Sequence, residues 1–91
     1  MTGAPKIRAM EIIDSLEPVQ RGVFSGAIGY LDRGGIMDLC IVIRTLVCQD
    51  GRAHFGVGGA VTADSSPLAE YQETMDKARA LARALGAALP E

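Results

Sequence analysis

Three ionisable side chains recur at helical spacing near the carboxyl-terminal end of the sequence. Glu70, Glu73 and Lys77 fall within one narrow stripe of a helix that turns about 100° per residue. One carboxylate of this stripe could be an oxygen ligand of a hard cation such as Mg²⁺, which usually takes one or two protein carboxylates. The same spacing describes an ordinary solvated Glu–Lys pair at i, i+4. Both interpretations stay open from the residues alone.

Arg44 is the charged residue deep in the most apolar stretch of the chain, Met37 to Val47. The alternation of this stretch predicts a central strand, in which Arg44 shares a face with Cys40 and Val42. A guanidinium in such surroundings needs an anion. The anion is either a structural partner, Asp38 or a helix carboxylate, or the carboxylate of a ligand, which suits the planar guanidinium fork.

The stretch HFGVGGAVTADS carries a third candidate feature. Gly56, Gly58 and Gly59 interrupt the predicted third strand, and glycines there let backbone N–H groups approach an anion closely. A bulge or a bend of the strand explains them equally well. His54, the single histidine, has no partner motif and is predicted to be structural.

The elements that must position these residues follow the order helix, three strands, helix. The predicted elements are a helix from Pro5 to about Leu16, strands Val23 to Leu31, Met37 to Val47 and Arg52 to Val61, and a helix that begins within residues 64–67 and runs to about Leu85. The strands are predicted to form an antiparallel meander, and the fold class is therefore α+β.

Local signals set the boundaries of these elements. Thr2 is a candidate cap of the first helix, and Ser65 or Ser66 a candidate cap of the last helix, with Pro67 in its first turn. Asp50-Gly51 predicts a hairpin. Further predictions concern sets of residues: a turn at Asp32-Arg33-Gly34-Gly35, close neighbours at Gly26 and Gly29, and a buried seam of Tyr71, Met75, Ala78, Ala82 and Leu85.

Composition narrows the classes of function. The 91 residues carry a formal net charge of −2, which argues against a nucleic-acid partner or an anionic membrane surface. No apolar run approaches the ~20 residues of a membrane helix. Cys40 and Cys48 lack metal-ligand spacing and are predicted to be buried or half-buried free thiols in a reducing compartment, which indicates the cytoplasm.

Five stretches in one order carry a resemblance to a known family. They are TGAPKIRAMEIID, SGAIGYLD, MDLCIVIRT, GGAVTADS and AEYQETMDK. Together they resemble the C-terminal portion of the chorismate-utilising enzymes, which include anthranilate synthase component I, aminodeoxychorismate synthase component I, isochorismate synthase and salicylate synthase. The residues of these motifs are most similar to those of aminodeoxychorismate synthase component I, and nearly as similar to those of anthranilate synthase.

The resemblance implies a place for the chain in a larger fold. In the family, TGAPK lies well inside a longer catalytic domain that stacks two large β-sheets. Residues 1–91 are therefore expected to form a single partial domain, the C-terminal segment of a chorismate-binding domain, with residues 86–91 as a frayed tail.

The resemblance also assigns roles to individual residues. It implies a metal ligand at Glu73, catalytic residues at Lys77 and Glu70, and substrate-binding residues at Arg44, Gly58, Gly59, Ala60, Phe24 and Thr2. Lys6 is expected to be structural. Two positions depart from the family pattern, because Ala60 stands where a third glycine is common and Phe24 where relatives often have a tyrosine.

The implied reaction is the Mg²⁺-dependent amination of chorismate to 4-amino-4-deoxychorismate, in the para-aminobenzoate and folate pathway. The ammonia comes from a glutamine amidotransferase subunit. An anthranilate synthase, of the tryptophan pathway, is the alternative. The P-I-K-G-T lysine motif and the upstream metal carboxylate of the family are absent from these residues, so the chain is predicted to be inactive alone. An alternative of another class is a non-catalytic module that self-associates through apolar faces.

Overall fold

The computed structural model describes residues 1–89. In chain order the elements are α1 (Lys6–Leu16), β1 (Ala27–Leu31), β2 (Met37–Ile41), β3 (Val47–Gln49), β4 (Arg52–His54) and α2 (Pro67–Ala84). The predicted α+β class and the placement of strands between two helices are confirmed. The chain divides into two compact units, Met1–Ile41 and a second unit that begins at Val42.

The first unit contains α1 and the β1–β2 hairpin. Pro5 occupies the N-cap position of α1 without a side-chain capping hydrogen bond, so the predicted cap by Thr2 is wrong. Proline fixes φ near the helical value, and it starts the helix without a cap. The helix ends at Leu16, as predicted.

The β1–β2 hairpin pairs Ala27 with Ile41 and Leu31 with Met37 in antiparallel register. Its predicted turn at Asp32 is confirmed, because the Asp32 side chain accepts a 2.9 Å hydrogen bond from the backbone N–H of Ile36. A Cβ atom at Gly29 would overlap the backbone carbonyl oxygen of Asp38, whereas one at Gly26 would meet nothing within 4 Å. The predicted close neighbour therefore exists at Gly29 and not at Gly26.

The second hairpin, β3–β4, belongs to the second unit. Its central residues, Asp50 and Gly51, have φ values of 52° and 73°, the left-handed pair that a type I′ turn requires. The hairpin predicted from Asp50-Gly51 is confirmed.

The strands form two separate antiparallel pairs, β1–β2 and β3–β4, instead of one three-stranded meander. The predicted long strand from Met37 to Val47 divides because Arg44 has a φ of 51°, which an extended strand does not allow. The third predicted strand is also shorter, since β4 ends at His54.

The helix α2 is the long element of the second unit. It begins with Ser66 at the N-cap position and Pro67 as the first helical residue, although Ser66 makes no side-chain capping bond. It ends in a Schellman motif, in which the N–H of Ala87 donates to the Ala82 carbonyl and Gly86 takes a φ of 67°. This agrees with the predicted end near Leu85.

One side of α2 is buried through Ala78, Leu81 and Ala82. Tyr71 and Leu85, which the sequence placed in the same seam, are exposed by 61% and 40%. Of the predicted seam, only Ala78 and Ala82 are buried, and Leu81, which the prediction did not include, is buried beside them. Of the tail predicted over residues 86–91, positions 90 and 91 lie outside the described residues. Across residues 1–89, neither helix is both long and apolar enough to cross a membrane.

Candidate functional site

The predicted ion pair on α2 is present. Lys77 Nζ lies 2.7 Å from Glu73 Oε1, one helical turn earlier. The Lys77 side chain is exposed by 23% and that of Glu73 by 59%. The lysine is thus held on the protein surface while the carboxylate faces solvent and stays open to a ligand.

Lys77 also reaches the glycine segment, residues 56–60. Its Nζ donates a 3.2 Å hydrogen bond to the carbonyl oxygen of Gly58. The segment lies in the irregular stretch between β4 and α2 and not within a strand. Lys77 therefore connects this loop, through a hydrogen bond, to the edge of α2 on which Glu73 lies.

Gly59 lies directly against the helix edge. A Cβ atom at this position would be 3.5 Å from Glu70 Oε2, 3.8 Å from Thr74 Oγ1 and 4.0 Å from Lys77 Nζ. The structure thus brings together Gly58, Gly59, Glu70, Glu73 and Lys77, which the sequence had placed in one site. This assembly is called the glycine–helix cluster below.

Sequence reasoning missed Thr74, a half-buried residue of α2 between Glu70 and Lys77 in the sequence. Its hydroxyl donates a 3.0 Å hydrogen bond to the Glu70 carbonyl oxygen. The signal was available, because Thr74 stands at i+4 from Glu70 and i−3 from Lys77.

The backbone N–H groups of the glycine segment are free to bind an anion. Within residues 42–89, the N–H groups of Gly58, Gly59 and Ala60 donate no hydrogen bond to a backbone or side-chain acceptor. Gly58, Gly59 and Ala60 are exposed residues. Unpaired N–H groups on consecutive residues offer a ligand carboxylate several donors at once.

Arg44 lies in the same unit but outside the strand predicted for it. It is exposed, between β2 and β3, with its backbone in the left-handed region at φ 51°. Within residues 42–89 its guanidinium forms no ion pair, so the structural pair with a carboxylate of α2 is not formed. Its five N–H donors are therefore available to a ligand.

Thr2 and Phe24 belong to the first unit. Thr2 is exposed and Phe24 is half-buried. Met1 and Ser25, the sequence neighbours of these two residues, share a hydrogen-bond donor. Arg21 Nη1 donates to the Met1 carbonyl oxygen at 2.6 Å and to Ser25 Oγ at 2.7 Å. Sequence reasoning missed this role of Arg21.

Arg21 also forms an ion pair with Glu17, four residues earlier, with Nη2 2.7 Å from Oε1. The hydrogen bond from Arg21 lowers the pKa of the Glu17 carboxyl below its usual range, and the same bond raises the pKa of Arg21. The pair keeps the guanidinium oriented towards the segment around Phe24.

Two other predictions concern cysteine and metal sites. Cys40 and Cys48 are free, as predicted, but exposed, because each lies on a two-stranded hairpin open to solvent. Across residues 1–89, no cluster of three or more His, Cys, Asp or Glu side chains could hold a metal ion. Glu70 and Glu73 stand three residues apart on α2, and carboxylate oxygens are the kind of donor that a hard cation takes.

Comparison with known proteins assigns the family. A model of the chorismate binding enzyme family matches residues 1–83. The chain belongs to this family.

The individual relatives are of two kinds, anthranilate synthase component 1 and aminodeoxychorismate synthase. The chain is 56% identical to anthranilate synthase component 1 of Pseudomonas aeruginosa over 88 residues, 97% of this chain and 18% of that protein. It is 59% identical to aminodeoxychorismate synthase of Streptomyces griseus over 90 residues, 99% of this chain and 12% of that protein. It is 57% identical to anthranilate synthase component 1 of Cereibacter sphaeroides over 84 residues, 92% of this chain and 17% of that protein. The chain therefore spans less than a fifth of the length of these relatives.

Proposed function

We propose that the chain supplies one wall of the active site of a chorismate-utilising synthase that aminates chorismate to 4-amino-4-deoxychorismate. The observation that carries the proposal is the bridge made by Lys77, which holds Glu73 at 2.7 Å and the Gly58 carbonyl at 3.2 Å. This bridge joins a loop that can bind anions to a helix edge that can bind a cation. A dicarboxylate substrate with a bound Mg²⁺ needs both.

The carboxylates of chorismate are assigned to two groups of donors. The unpaired backbone N–H groups of Gly58, Gly59 and Ala60 bind one carboxylate, and the free guanidinium of Arg44 binds the other. Phe24 and Thr2 are proposed as further substrate-binding residues of the complete synthase. These last two assignments follow the family resemblance.

Glu73 would hold a magnesium ion from the side of α2, and Glu70 would border it as a second acidic residue. When bound, the ion neutralises the ring carboxylate of chorismate and polarises its C4 hydroxyl as a leaving group. The chain supplies these two carboxylates, and further protein ligands come from elsewhere in the complete synthase.

Lys77 is assigned a catalytic role beside this ion. An ammonium group has three N–H donors, and two of them are occupied by Glu73 and Gly58. The third donor is available to the substrate, where it stabilises negative charge that develops as the C4 hydroxyl leaves.

The nucleophile is ammonia, which a glutamine amidotransferase subunit delivers in the complete enzyme. The chain does not turn chorismate over by itself, because the family's lysine motif and second metal carboxylate are not among its residues.

Anthranilate synthesis is a second candidate function. The relatives named anthranilate synthase component 1 are 56% and 57% identical to the chain, against 59% for the aminodeoxychorismate synthase. Chimeric enzymes separate the two reactions. The chain replaces the matching segment of the Pseudomonas aeruginosa and of the Streptomyces griseus protein, and the product of each chimera is measured. Retention of kcat/KM only in the aminodeoxychorismate synthase supports the first candidate, and retention only in the anthranilate synthase supports the second.

A non-catalytic, self-associating module is a candidate of another class. Large apolar side chains are exposed along α1 and on the β1–β2 hairpin, namely Ile7, Leu16, Leu31, Met37, Leu39 and Ile41. A second copy could cover this surface. Sedimentation of the chain over a range of concentrations tests this candidate, and a monomer at high concentration contradicts it.

Calorimetric titration of chorismate with Mg²⁺ into the chain tests the proposed site. Saturable binding is expected, with loss of binding in Arg44→Ala and in Glu73→Gln. Arg79→Ala is the control, because Arg79 is a charged residue of α2 that pairs with Asp76 outside the cluster. Absence of binding to the unsubstituted chain, or equal binding by all variants, contradicts the proposal.

A further inference from the structure

A tight turn fixes the loop between β4 and α2 at a second point, beyond its bond to Lys77. The turn spans residues 62–65, and the N–H of Ser65 donates a 3.1 Å hydrogen bond to the carbonyl oxygen of Thr62. The side chain of Ser65 closes the same turn, because its Oγ accepts a 2.9 Å hydrogen bond from the N–H of Thr62. The two residues are therefore joined by reciprocal hydrogen bonds.

The hydroxyl group of Ser65 is placed to hold this turn closed. It lies 3.2 Å from the hydroxyl group of Thr62, within hydrogen-bond distance. Ser65 is half-buried, whereas Thr62 is exposed. Serine side chains that bond to nearby backbone groups stabilise turns, because they add a second bond to the one within the main chain. The hydroxyl of Ser65 therefore keeps the backbone at position 62 in place.

The backbone that is proposed to bind a carboxylate lies between two fixed points. Lys77 holds the loop at the Gly58 carbonyl oxygen, with a hydrogen bond of 3.2 Å, and Ser65 holds it at the Thr62 N–H. Residues 59–61 connect these two points. A short span with both ends fixed has few conformations, so its N–H groups lose little freedom when a ligand binds.

We propose that Ser65 is a positioning residue: its hydroxyl fixes the chain just after the glycine segment, so that the N–H groups of Gly58, Gly59 and Ala60 bind a substrate carboxylate together. This inference rests on the proposed binding of chorismate by that segment. Ser65 makes no contact with the substrate and acts through the backbone of Thr62. Its contribution to affinity comes from the order that it gives the loop before the ligand binds.

The substitution Ser65→Ala tests this role, because it removes the acceptor of the Thr62 N–H and leaves the main-chain bond of the turn. Calorimetric titration with chorismate and Mg²⁺ should show an affinity about fivefold to tenfold lower than that of the unsubstituted chain. The midpoint of urea unfolding should stay unchanged, since Thr62 is exposed and its N–H gains a bond to water. Ser65→Thr keeps a hydroxyl group and should restore the affinity.

Ser66→Ala is the matched control, because Ser66 is the next residue of the chain and its side chain makes no capping hydrogen bond to α2. This variant should bind chorismate as tightly as the unsubstituted chain does. The ¹⁵N order parameters of residues 59–61, measured without a ligand, should fall in Ser65→Ala and stay unchanged in Ser66→Ala. They report the order of the loop directly, whether or not chorismate binds.

The outcomes distinguish the inference from the function on which it rests. If the unsubstituted chain and Ser65→Ala bind chorismate equally well, the positioning role is wrong and the proposed function stands. Equal order parameters of residues 59–61 in these two proteins also overturn the role. An affinity of Ser65→Thr no higher than that of Ser65→Ala would show that the hydroxyl group is not the cause. If the unsubstituted chain binds no chorismate, the proposed function fails and the inference fails with it.

Discussion

Lys77 Nζ and the carbonyl oxygen of Gly58 lie 3.2 Å apart, although 19 residues separate them in the chain. This hydrogen bond is the contact that turns a helix edge and a separate loop into one site. It also gives the glycine segment a fixed partner, since that segment lies outside β4 and α2. The lysine thus has a positioning role in addition to its proposed catalytic one.

Replacing Lys77 with methionine should release the glycine segment. The loss of one partly exposed hydrogen bond and one surface ion pair should change the free energy of unfolding by no more than about 1 kcal/mol. The ¹⁵N order parameters of residues 56–60 should fall, which NMR relaxation measures. Arg79→Met removes another cation of α2 and should leave these order parameters unchanged. Unaltered order parameters in Lys77→Met would show that the bond to Gly58 does not hold the loop.

Substitutions of Arg44 should affect the stability of the chain and its binding of chorismate in different ways. Its φ of 51° costs an ordinary residue about 1 kcal/mol, a cost that glycine does not incur. Arg44→Gly should therefore be more stable than Arg44→Ala by about 0.5 to 1 kcal/mol in urea unfolding. Both variants should lose chorismate binding, because both lack the guanidinium. A greater stability of the alanine variant would contradict the left-handed conformation.

The buried side of α2 predicts a large effect at Leu81. This side chain is only 8% exposed, and its truncation in Leu81→Ala should lower the free energy of unfolding by about 2 to 3 kcal/mol. Leu68→Ala is the matched control on the same helix, because Leu68 is 76% exposed and its truncation should cost little. Chemical denaturation of both variants measures the difference. Equal losses would mean that the buried side of α2 is not the core of this unit.

The Glu17–Arg21 pair predicts a pH dependence of stability. Arg21 lowers the pKa of Glu17 from 4.5, so folding favours the charged carboxylate. The contribution of the pair is complete above pH 4.5 and is lost as the pH falls through the lowered pKa of the folded state. In Arg21→Gln the ¹³C titration of the Glu17 carboxyl should move back towards 4.5.

Arg21→Lys is the control for this titration. It keeps the positive charge but lacks the planar fork, so the pKa of Glu17 should lie between those of the other two proteins. If Arg21→Gln left the titration of Glu17 unchanged, the hydrogen bond would not be the cause of the lowered pKa.

Predictions from local signals succeeded where the residues of one short segment determine its structure by themselves. Asp50-Gly51 specifies a type I′ turn through the preferences of the two residues themselves. The Glu73–Lys77 pair follows from helical spacing alone. Cys40 and Cys48 were predicted to be buried or half-buried, and they are exposed because burial depends on what packs against a strand.

The predicted strand from Met37 to Val47 is divided at Arg44, and this division was also not predictable from a local pattern. The alternation from Met37 to Val47 is compatible with one long strand, and a period of two residues contains no information about a single left-handed φ. Gly29 was predicted correctly as a point of close approach, but Gly26 offered the same signal and has no neighbour. A glycine permits close approach without requiring it.

The sequence by itself determined the class of fold, the two helices, the hairpin at Asp50-Gly51 and the membership of a family, because motifs and periodicity are properties of neighbouring residues. Only the tertiary structure decided that Gly58 and Gly59 lie against Glu70, Thr74 and Lys77. The path of the loop between β4 and α2 sets these distances. That path depends on contacts between residues far apart in the chain, which no local pattern encodes.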